Sequence, residues 1–274
     1  MAKPQRPGKL RDELIVRPGR FKIDSVNPNA TFGFTKETAA PVLAADLERL
    51  AELQERLWAE RKRRVLIVLQ GMDASGKDGV IRNVVTALHP LGCRAQGFGV
   101  PSEVELAHDY LWRVHHVVPG NGEIVVFNRS HYEDVLVVRV HELVAKERWE
   151  QRYDQINAFE QTLVDEGTLI LKFFINIDQE EQLERFQARL EDPTKRWKFR
   201  AGDLDERALW GDYMAAYEEA LRRCSTESAP WFAIPGNRKW FRDLAIARIL
   251  ADAIEDLNPQ YPVRDDIPAD LVLR

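Results

Sequence analysis

A strand-length apolar run that leads directly into a glycine-rich turn constrains this chain more than any other feature. The run is "RVLIVLQ", residues 64–70, and the turn "GMDASGK" follows at once. A continuous apolar run is typical of a strand buried on both faces of a parallel sheet. Gly71, Gly76 and Lys77 have the spacing G-x-x-x-x-G-K, and a helical segment comes next. Backbone N–H groups of such a turn, and the positive end of the helix dipole, attract an anion, so the sequence predicts a phosphate-binding loop.

Four more strand-like runs follow, and helical segments separate them. These runs are "CRAQGFGV", "GEIVVFNRS", "TLILKFFINI" and "PWFAIP". Strands that alternate with helices form parallel sheets covered by helices on both sides. The predicted fold class is therefore α/β, a three-layer αβα sandwich of the P-loop type with a five-stranded parallel sheet.

The segments outside the strands predict helices and two peripheral regions. The first long helix is expected from Val42, because apolar residues recur at helical spacing through "VLAADLERLAELQERLWAERKRR". Single helices are expected for "EVELAHDYLWRVHHVV" and for "LDERALWGDYMAAYEEALRR". Residues 1–40, where Pro, Arg, Gly and Asn alternate with isolated apolar residues, are interpreted as an arm packed on one domain of residues 41–258. Residues 259–274 are interpreted as a C-terminal tail.

The composition argues against several classes of protein. The 274 residues are 45% hydrophobic and 30% charged, which is typical of a globular chain. The formal net charge of −5 gives no reason to expect nucleic-acid binding, so any polyanion must be attracted by a local basic patch. No apolar run has the length of a signal-peptide core or a membrane span, so no membrane partner is expected. Two cysteines, Cys93 and Cys224, indicate no disulfide framework, and neither is in a C-x-x-C pair, so we expect a reducing compartment and a cytoplasmic location.

The loop departs from the common pattern in two carboxylates. After Lys77 a Ser or Thr normally binds magnesium through its hydroxyl, and here that residue is Asp78. Asp73, inside the loop, is a natural oxygen ligand for Mg²⁺, with Mn²⁺ as a substitute. We interpret Asp73 as catalytic and as the metal ligand, Lys77 as the catalytic cation for the outermost phosphates, and Asp78 as a structural residue favoured by the helix dipole. The predicted phosphate-binding residues of the loop are Gly71, Ala74, Ser75, Gly76, Lys77 and Asp78.

A second group of polar residues follows the strand-like run "EIVVFN". In phosphate-loop enzymes a carboxylate at the end of such a strand orients magnesium. Here the run ends in Asn128, which carries no charge and could accept from a metal-bound water or ligate weakly. Arg129 is a permanently charged, fork-shaped group suited to a phosphate in transit, and we predict it as catalytic. The alternative is a surface arginine that pairs with Glu133 or Asp134.

A cationic segment between two helices predicts a lid at about residues 185–205. Its first two arginines are four residues apart and share one face of a helix that Pro193 ends. Six cations stand there against two carboxylates, in a chain whose net charge is −5. Such a flap could close over a highly charged phosphate donor, and the alternative is a solvated charged loop. The predicted ligands for polymeric phosphate are Arg185, Arg189, Lys195, Arg196, Lys198 and Arg200.

Four motifs together resemble those of family-2 polyphosphate kinases. They are "GMDASGKDGVIR", "FNRSHYEDVLVVRV", "RFQARLEDPTKRWKF" and "APWFAIPGNRKWFR", in the family's order, and the resemblance runs from about Asp24 to Leu257. The resemblance implies a thymidylate-kinase-like fold with a basic helical lid. It implies magnesium-dependent, reversible transfer of phosphoryl groups between inorganic polyphosphate and AMP or ADP. It also implies a homo-oligomer, either a dimer or a tetramer.

The form of the second motif bears on the acceptor. "RSHYED", with Glu133, resembles the subclass that phosphorylates nucleoside monophosphates as well as diphosphates. Members restricted to diphosphates commonly show "RSWYN", and they have Asp where this chain has Asn128. The resemblance places polyphosphate along Lys77 and the lid, and the nucleotide on the other side of the transferred group. The predicted nucleotide-binding residues are Asn128, Arg129, Glu133 and Arg113.

The expected mechanism is in-line transfer without a covalent intermediate, because this architecture needs no nucleophile from the protein. The alternative is a phosphate carried by His115, His116 or His131. Two other functions stay open from sequence: an ATP-dependent nucleoside or nucleotide kinase of the same fold, and a module that only binds polyanions. A GTP-binding switch would carry an N/T-K-x-D motif, and both "FTKET" and "PTKRW" lack its final Asp.

Overall fold

The computed structural model describes residues 9–263. Residues 1–8 and 264–274 lie outside the described residues, and with them the start of the predicted arm and most of the predicted C-terminal tail.

One sheet of five parallel strands organises the described part of the chain. Its strand order is β2-β3-β1-β4-β5, and all four neighbouring pairs are parallel. The predicted α/β class with a five-stranded parallel sheet is therefore confirmed. The strands are β1 (Arg64–Gln70), β2 (Cys93–Gly97), β3 (Ile124–Asn128), β4 (Thr168–Asn176) and β5 (Trp231–Pro235).

Helices cover both faces of this sheet. Along β1, Val65 and Ile67 pack into one apolar cluster and Leu66 and Val68 into another, because successive side chains of a strand point to opposite faces. The first cluster includes α2, α3 and α11, and the second includes α7 and α10. The helices are α1 (Lys9–Leu14), α2 (Lys36–Glu60), α3 (Lys77–Asn83), α4 (Glu103–Leu106), α5 (Trp112–His115), α6 (Val137–Val140), α7 (Lys146–Asp165), α8 (Gln179–Glu191), α9 (Gly202–Ala208), α10 (Trp210–Cys224) and α11 (Lys239–Asp256).

Strand register brings the candidate residues to one edge of the sheet. Leu69 of β1 lies opposite Asn128, the last residue of β3, and Gln70 lies opposite Phe174 of β4. The loops that follow β1, β3, β4 and β5 therefore leave the sheet side by side. Ligands of open parallel sheets bind at this carboxyl edge.

Three helices differ from their predicted form. α2 begins at Lys36 instead of Val42, because Thr35 and Thr38 form a capping box upstream of the proline at position 41. The segment predicted as one helix from Glu103 is two short helices, since the Asp109 side chain accepts the N–H of Leu111 at 3.0 Å and forms a turn between them. The predicted helix at 204–223 is likewise divided into α9 and α10.

The described part of the predicted arm packs against β5. Ile15 forms an antiparallel bridge with Phe232, and the N–H of Val16 donates to the carbonyl of Trp231 at 2.8 Å. The predicted domain limits at residues 40 and 258 stay predictions. Within residues 9–263, no helix has the length and apolar content needed to cross a bilayer.

Candidate active site

The predicted phosphate loop lies between β1 and α3, and its glycines are required by close packing. A Cβ atom on Gly71 would lie 2.7 Å from the carbonyl oxygen of Ile175. A Cβ atom on Gly76 would lie 1.9 Å from Nη1 of Arg242. Both glycines also have positive φ, 147° and 110°, which side chains rarely tolerate. The backbone of the loop therefore packs directly against the end of β4 and against Arg242 of α11, which restrict its position.

Arg185 is the side chain that fixes the loop most directly. Its Nη1 donates to the carbonyls of Ala74 and Ser75 at 2.9 and 2.7 Å. Its Nη2 donates to the carbonyls of Gly236 and Asn237, and its Nε donates to the Glu181 carboxylate. Every donor atom of this buried side chain already has an acceptor in the protein, so the predicted role of Arg185 as a direct ligand of polymeric phosphate stays a prediction. Arg185 holds the loop in shape.

Lys77 points back into the concave side of the loop. Its Nζ donates to the carbonyls of Gly71 at 2.6 Å and Met72 at 3.1 Å. Burial lowers the pKa of Lys77 to about 8, and the nearby charge of Arg129 adds to this, although Asp73 opposes it. The lysine is thus close to losing its proton near neutral pH. A bound polyanion would favour its charged form.

Asp73, Arg129 and Glu133 form one charged group at the mouth of the loop. Arg129 Nη2 lies 2.5 Å from Asp73 Oδ1, and Arg129 Nη1 lies 3.2 Å from Glu133 Oε2. Arg129 does pair with Glu133, as the alternative predicted, but the same guanidinium also reaches the phosphate loop. Burial alone would raise the pKa of Asp73, but the charges of Arg129, Lys77 and Arg189 outweigh it and lower that pKa. Asp73 is therefore a carboxylate at neutral pH.

The surroundings of Asp73 fit a magnesium ligand. The side chain is 27% exposed, and no donor among residues 9–263 reaches its Oδ2. Magnesium commonly takes one or two protein oxygens and completes its shell with water and phosphate oxygens. No group of three or more His, Cys, Asp or Glu side chains that could hold a metal occurs in the described residues, so a metal at Asp73 would have fewer than three such ligands there.

Asp78 connects three parts of the site, which the sequence did not indicate. Its Oδ1 accepts from the amide of Asn128 at 2.9 Å, and its Oδ2 accepts from Nζ of Lys198 at 3.0 Å. The carboxylate thus links the start of α3 to the end of β3 and to the lid. Because Asn128 uses its NH₂ group for this contact, its Oδ1 is the atom left to face a metal-bound water.

The lid consists of the end of α8 and the turn that follows it, residues 192–200, with a short 3-10 turn at Arg196–Lys198. Lys195 pairs with Asp192 inside the lid, and Lys198 pairs with Asp78. Arg196 and Arg200 are exposed and pair with no carboxylate of the described chain, and Arg189 is half-buried. The lid therefore carries cations that are accessible to solvent, and their predicted contact with a polyanion stays a prediction.

Arg113 lies near the same edge of the sheet, but part of its hydrogen-bonding capacity is already used within the protein. It is buried, donates to the carbonyl of Gly99 at 3.0 Å, and stacks over the ring of Phe98. Its predicted contact with a nucleotide stays a prediction.

Of the histidines considered as phosphate carriers, His131 is fully buried and faces Glu160, so a phosphate cannot reach it there. The other two are exposed on or beside α5, and within residues 9–263 neither contacts a carboxylate.

A buried polar network behind the site was missed by the sequence analysis. Lys172 lies in the middle of β4 and pairs with Glu160 of α7, and both side chains are essentially fully buried. Tyr132 donates to the same carboxylate at 2.9 Å. The one available signal was the lysine itself, which interrupts the apolar run "TLILKFFINI". A charged residue inside a strand buried on both faces indicates a partner in the interior.

Comparison with known proteins agrees with this geometry. The Polyphosphate kinase 2 (PPK2) family matches residues 34–262. An AMP/ADP-polyphosphate phosphotransferase of Meiothermus ruber is 54% identical over 250 residues, which are 90% of this chain and 94% of that protein. An ADP-polyphosphate phosphotransferase of Rhodopseudomonas palustris is 44% identical over 240 residues, 83% of each protein. The crystal structure of Polyphosphate Kinase 2 from Arthrobacter aurescens TC1 is similar with a TM-score of 0.90 at 43% identity, covering 95% of this chain and 93% of that one. Since the match in sequence and in backbone extends over most of its length, the chain belongs to the polyphosphate kinase 2 family.

Proposed function

We propose that this protein transfers phosphoryl groups between inorganic polyphosphate and nucleotides, converting AMP to ADP and ADP to ATP in a reversible reaction. The observation that carries the proposal is the position of Arg129. Its guanidinium joins Asp73 of the phosphate loop to Glu133 of the neighbouring turn, at 2.5 and 3.2 Å. The cation therefore lies between a donor side and an acceptor side, where a group in transit would pass.

The donor side is suited to a chain of phosphates without a base or ribose. The phosphate loop offers its backbone and Lys77, and the lid adds the accessible cations Arg196 and Arg200. Polyphosphate carries about one negative charge per phosphate and needs a row of cations rather than a nucleoside pocket. Arg189, at the end of α8, is near enough for its charge to act on Asp73.

The acceptor side is the turn that carries Glu133. The "RSHYED" form of this turn, and the chain's similarity to the AMP/ADP-polyphosphate phosphotransferase of Meiothermus ruber, support the use of monophosphates as well as diphosphates. Glu133 is largely buried beside Arg129, so it fixes the direction of that guanidinium. Asn128 and Arg113 are proposed to complete the nucleotide contacts.

Asp73 would hold a magnesium ion, which would supply positive charge to neutralise the phosphates. The residues of the chain supply the positioning. Lys77 leaves the carbonyls of Gly71 and Met72 to donate to the donor phosphates, and Arg129, still paired with Glu133, donates its remaining N–H groups to the transferred group. With no protein nucleophile needed, catalysis consists of alignment and charge stabilisation.

The test is a panel of AMP, ADP, GMP and GDP, each incubated with long-chain polyphosphate and Mg²⁺, and followed in both directions. ATP formed from ADP, and ADP formed from AMP, are expected, and a chelator should stop both reactions. If polyphosphate transferred phosphate to none of these nucleotides, the proposal would be rejected. If instead ATP, but not polyphosphate, phosphorylated a nucleoside or nucleotide, the alternative kinase activity would replace it.

Two further features belong to the same proposal. A dimer or tetramer is proposed on the family resemblance, and light scattering of the purified protein measures it. A cytoplasmic location is proposed because Cys93 and Cys224 are both free thiols, which is the common state in reducing compartments.

A further inference from the structure

A buried ion pair lies directly behind the turn that carries the acceptor residues. Lys172 is 0% exposed and Glu160 is 2% exposed. The lysine donates to the Glu160 carboxylate, to the hydroxyl of Tyr132 at 3.0 Å and to the carbonyl of Cys224 at 2.7 Å. Removing two charges from water is costly, and apolar side chains of similar volume would fill the same space at lower cost. The pair therefore indicates something other than packing.

The second oxygen of this carboxylate holds the turn. Glu160 Oε1 accepts from the hydroxyl of Tyr132 at 2.9 Å and contacts Nε2 of His131 at 3.2 Å. Burial alone would raise the pKa of Glu160, but the charge of Lys172 and the hydrogen bonds from His131 and Lys172 together outweigh burial, lower that pKa and keep the group ionised. Two successive residues of the 3-10 turn His131–Asp134 are thus fastened to one fixed carboxylate.

The same turn determines where Arg129 and Glu133 point. Arg129 precedes it with φ of 64°, a left-handed conformation uncommon for a residue with a side chain, so the surrounding structure must hold it. Ser130 between them is fully buried, and its Oγ accepts from the N–H of Tyr132 and from Gln70 of β1, both at 3.1 Å. The three anchored residues, 130–132, thus lie between the two functional ones, Arg129 and Glu133.

We propose that Glu160 and Lys172 are positioning residues for the acceptor nucleotide. They touch no substrate, and they act through Tyr132 and His131 to fix the turn from which Arg129 and Glu133 extend. This inference rests on the proposed function. Misplacement of a positioned group by about 1 Å can lower turnover roughly a hundredfold.

The test replaces the pair by apolar residues and compares it with a second buried pair. Glu160→Leu/Lys172→Met removes both charges together, which avoids leaving one charge unpaired. The matched control is Asp46→Leu/Arg248→Met, a buried pair between α2 and α11 on the opposite face of the sheet. Tyr132→Phe is a milder variant that removes only the hydroxyl that both Glu160 and Lys172 contact.

Kinetic constants are measured for AMP, ADP and polyphosphate separately, on folded protein quantified by circular dichroism. For Glu160→Leu/Lys172→Met, we expect kcat/KM for AMP and ADP to fall by about tenfold to a hundredfold, with KM for polyphosphate within about twofold of wild type. Tyr132→Phe should show the same split with a smaller loss, and the control pair should show none. If the double variant does not fold, Tyr132→Phe decides.

Unchanged acceptor kinetics in folded variants, or a KM for polyphosphate that rises as much as the KM for the nucleotide, would overturn the inference. Calorimetric titration with AMP separates this failure from that of the proposed function. If wild type transfers phosphate but its variants bind and use AMP normally, only the positioning role is wrong. If wild type transfers nothing, the function is wrong, and a loss of AMP affinity confined to Glu160→Leu/Lys172→Met and Tyr132→Phe would still support an anchored nucleotide site.

Discussion

The phosphate loop and the lid use the same kinds of cation in opposite ways. Below the loop, Arg185 is buried and donates to four backbone carbonyls, two of them in the loop itself. In the lid, Arg196 and Arg200 are exposed and have no carboxylate partner among residues 9–263. The loop is thus preorganised before a ligand arrives, whereas the lid must order flexible side chains on binding.

This difference predicts which residues affect turnover and which affect the affinity for polyphosphate. Groups fixed in place stabilise the transition state without reorganisation, so changes in the loop should act on turnover. Exposed cations that gather a polyanion should act mainly on its affinity, and salt should screen them. The predictions below test this division, beginning with the largest effect.

Lys77→Ala should give the largest loss, roughly 10²–10³-fold or more in kcat, because it removes the buried charge that is proposed to contact the donor phosphates. Steady-state rates with polyphosphate and ADP measure it. The matched control is Lys195→Ala in the lid, whose amine pairs with Asp192 within the lid. A Lys77→Ala enzyme with raised KM but normal kcat would show that this lysine binds ground state and transition state equally, which contradicts the comparison.

Arg185→Met should lower both stability and turnover. It leaves buried carbonyls without a donor, which costs about 1–3 kcal/mol in the free energy of unfolding. We expect turnover to fall by about tenfold or more, because the loop loses its support. Denaturant unfolding and kinetics measure the two effects. Arg196→Met, at an exposed position, should change stability by less than about 0.5 kcal/mol.

The opposite pattern would return Arg185 to its first interpretation. If Arg185→Met kept wild-type stability and lost only affinity for polyphosphate, the side chain would be a direct ligand. Loop and lid would then use their cations alike.

The sequence predicted the sheet and the loop because both depend on short-range patterns. Strands buried on both faces are continuous apolar runs, so "RVLIVLQ" indicated β1 and its burial directly. Gly71, Gly76 and Lys77 have a fixed spacing because the loop leaves room for little else.

Partners that are distant in sequence could not be predicted in this way. Helical spacing placed Arg185 and Arg189 on one face of a helix. It could not predict that Arg185 donates to the phosphate loop whereas the charge of Arg189 acts on Asp73. The contact of Asp78 with Lys198 joins residues 120 positions apart. Even the end of a helix was missed at Asp109, where one side-chain hydrogen bond decided the turn.

The pH dependence of kcat/KM should reflect the titration of Lys77 in the loop and not that of the lid arginines. Burial sets the pKa of Lys77 at about 8, below its ordinary value of 10.5, so the free enzyme loses this charge as pH rises through 8. We expect kcat/KM for polyphosphate to fall about tenfold for each pH unit above that value. The profile of kcat should stay flat to higher pH, because bound polyanion restores the proton. Arginines of the lid stay charged throughout, so a kcat/KM profile that is level from pH 7 to 9.5 would be incompatible with a titrating Lys77.

The smallest effect is expected where loop and lid meet, at the pair of Asp78 and Lys198. The two groups lie 3.0 Å apart, and because the aspartate side chain is 57% exposed, the pair should contribute at most about 1 kcal/mol. Asp78→Asn should therefore change KM for polyphosphate by about fivefold or less and leave kcat nearly unchanged. The change should shrink at high salt, because screening weakens an exposed pair.

Lys198→Met should match Asp78→Asn in size, and the double variant should add little to either, since both changes remove one contact. Lys195→Met is the control, because its carboxylate partner lies inside the lid. A loss of turnover in Asp78→Asn as large as that in Lys77→Ala would place Asp78 among the groups that act on the transferred phosphate. Lys198, which holds Asp78, would then belong with the preorganised residues of the phosphate loop rather than with the adjustable cations of the lid.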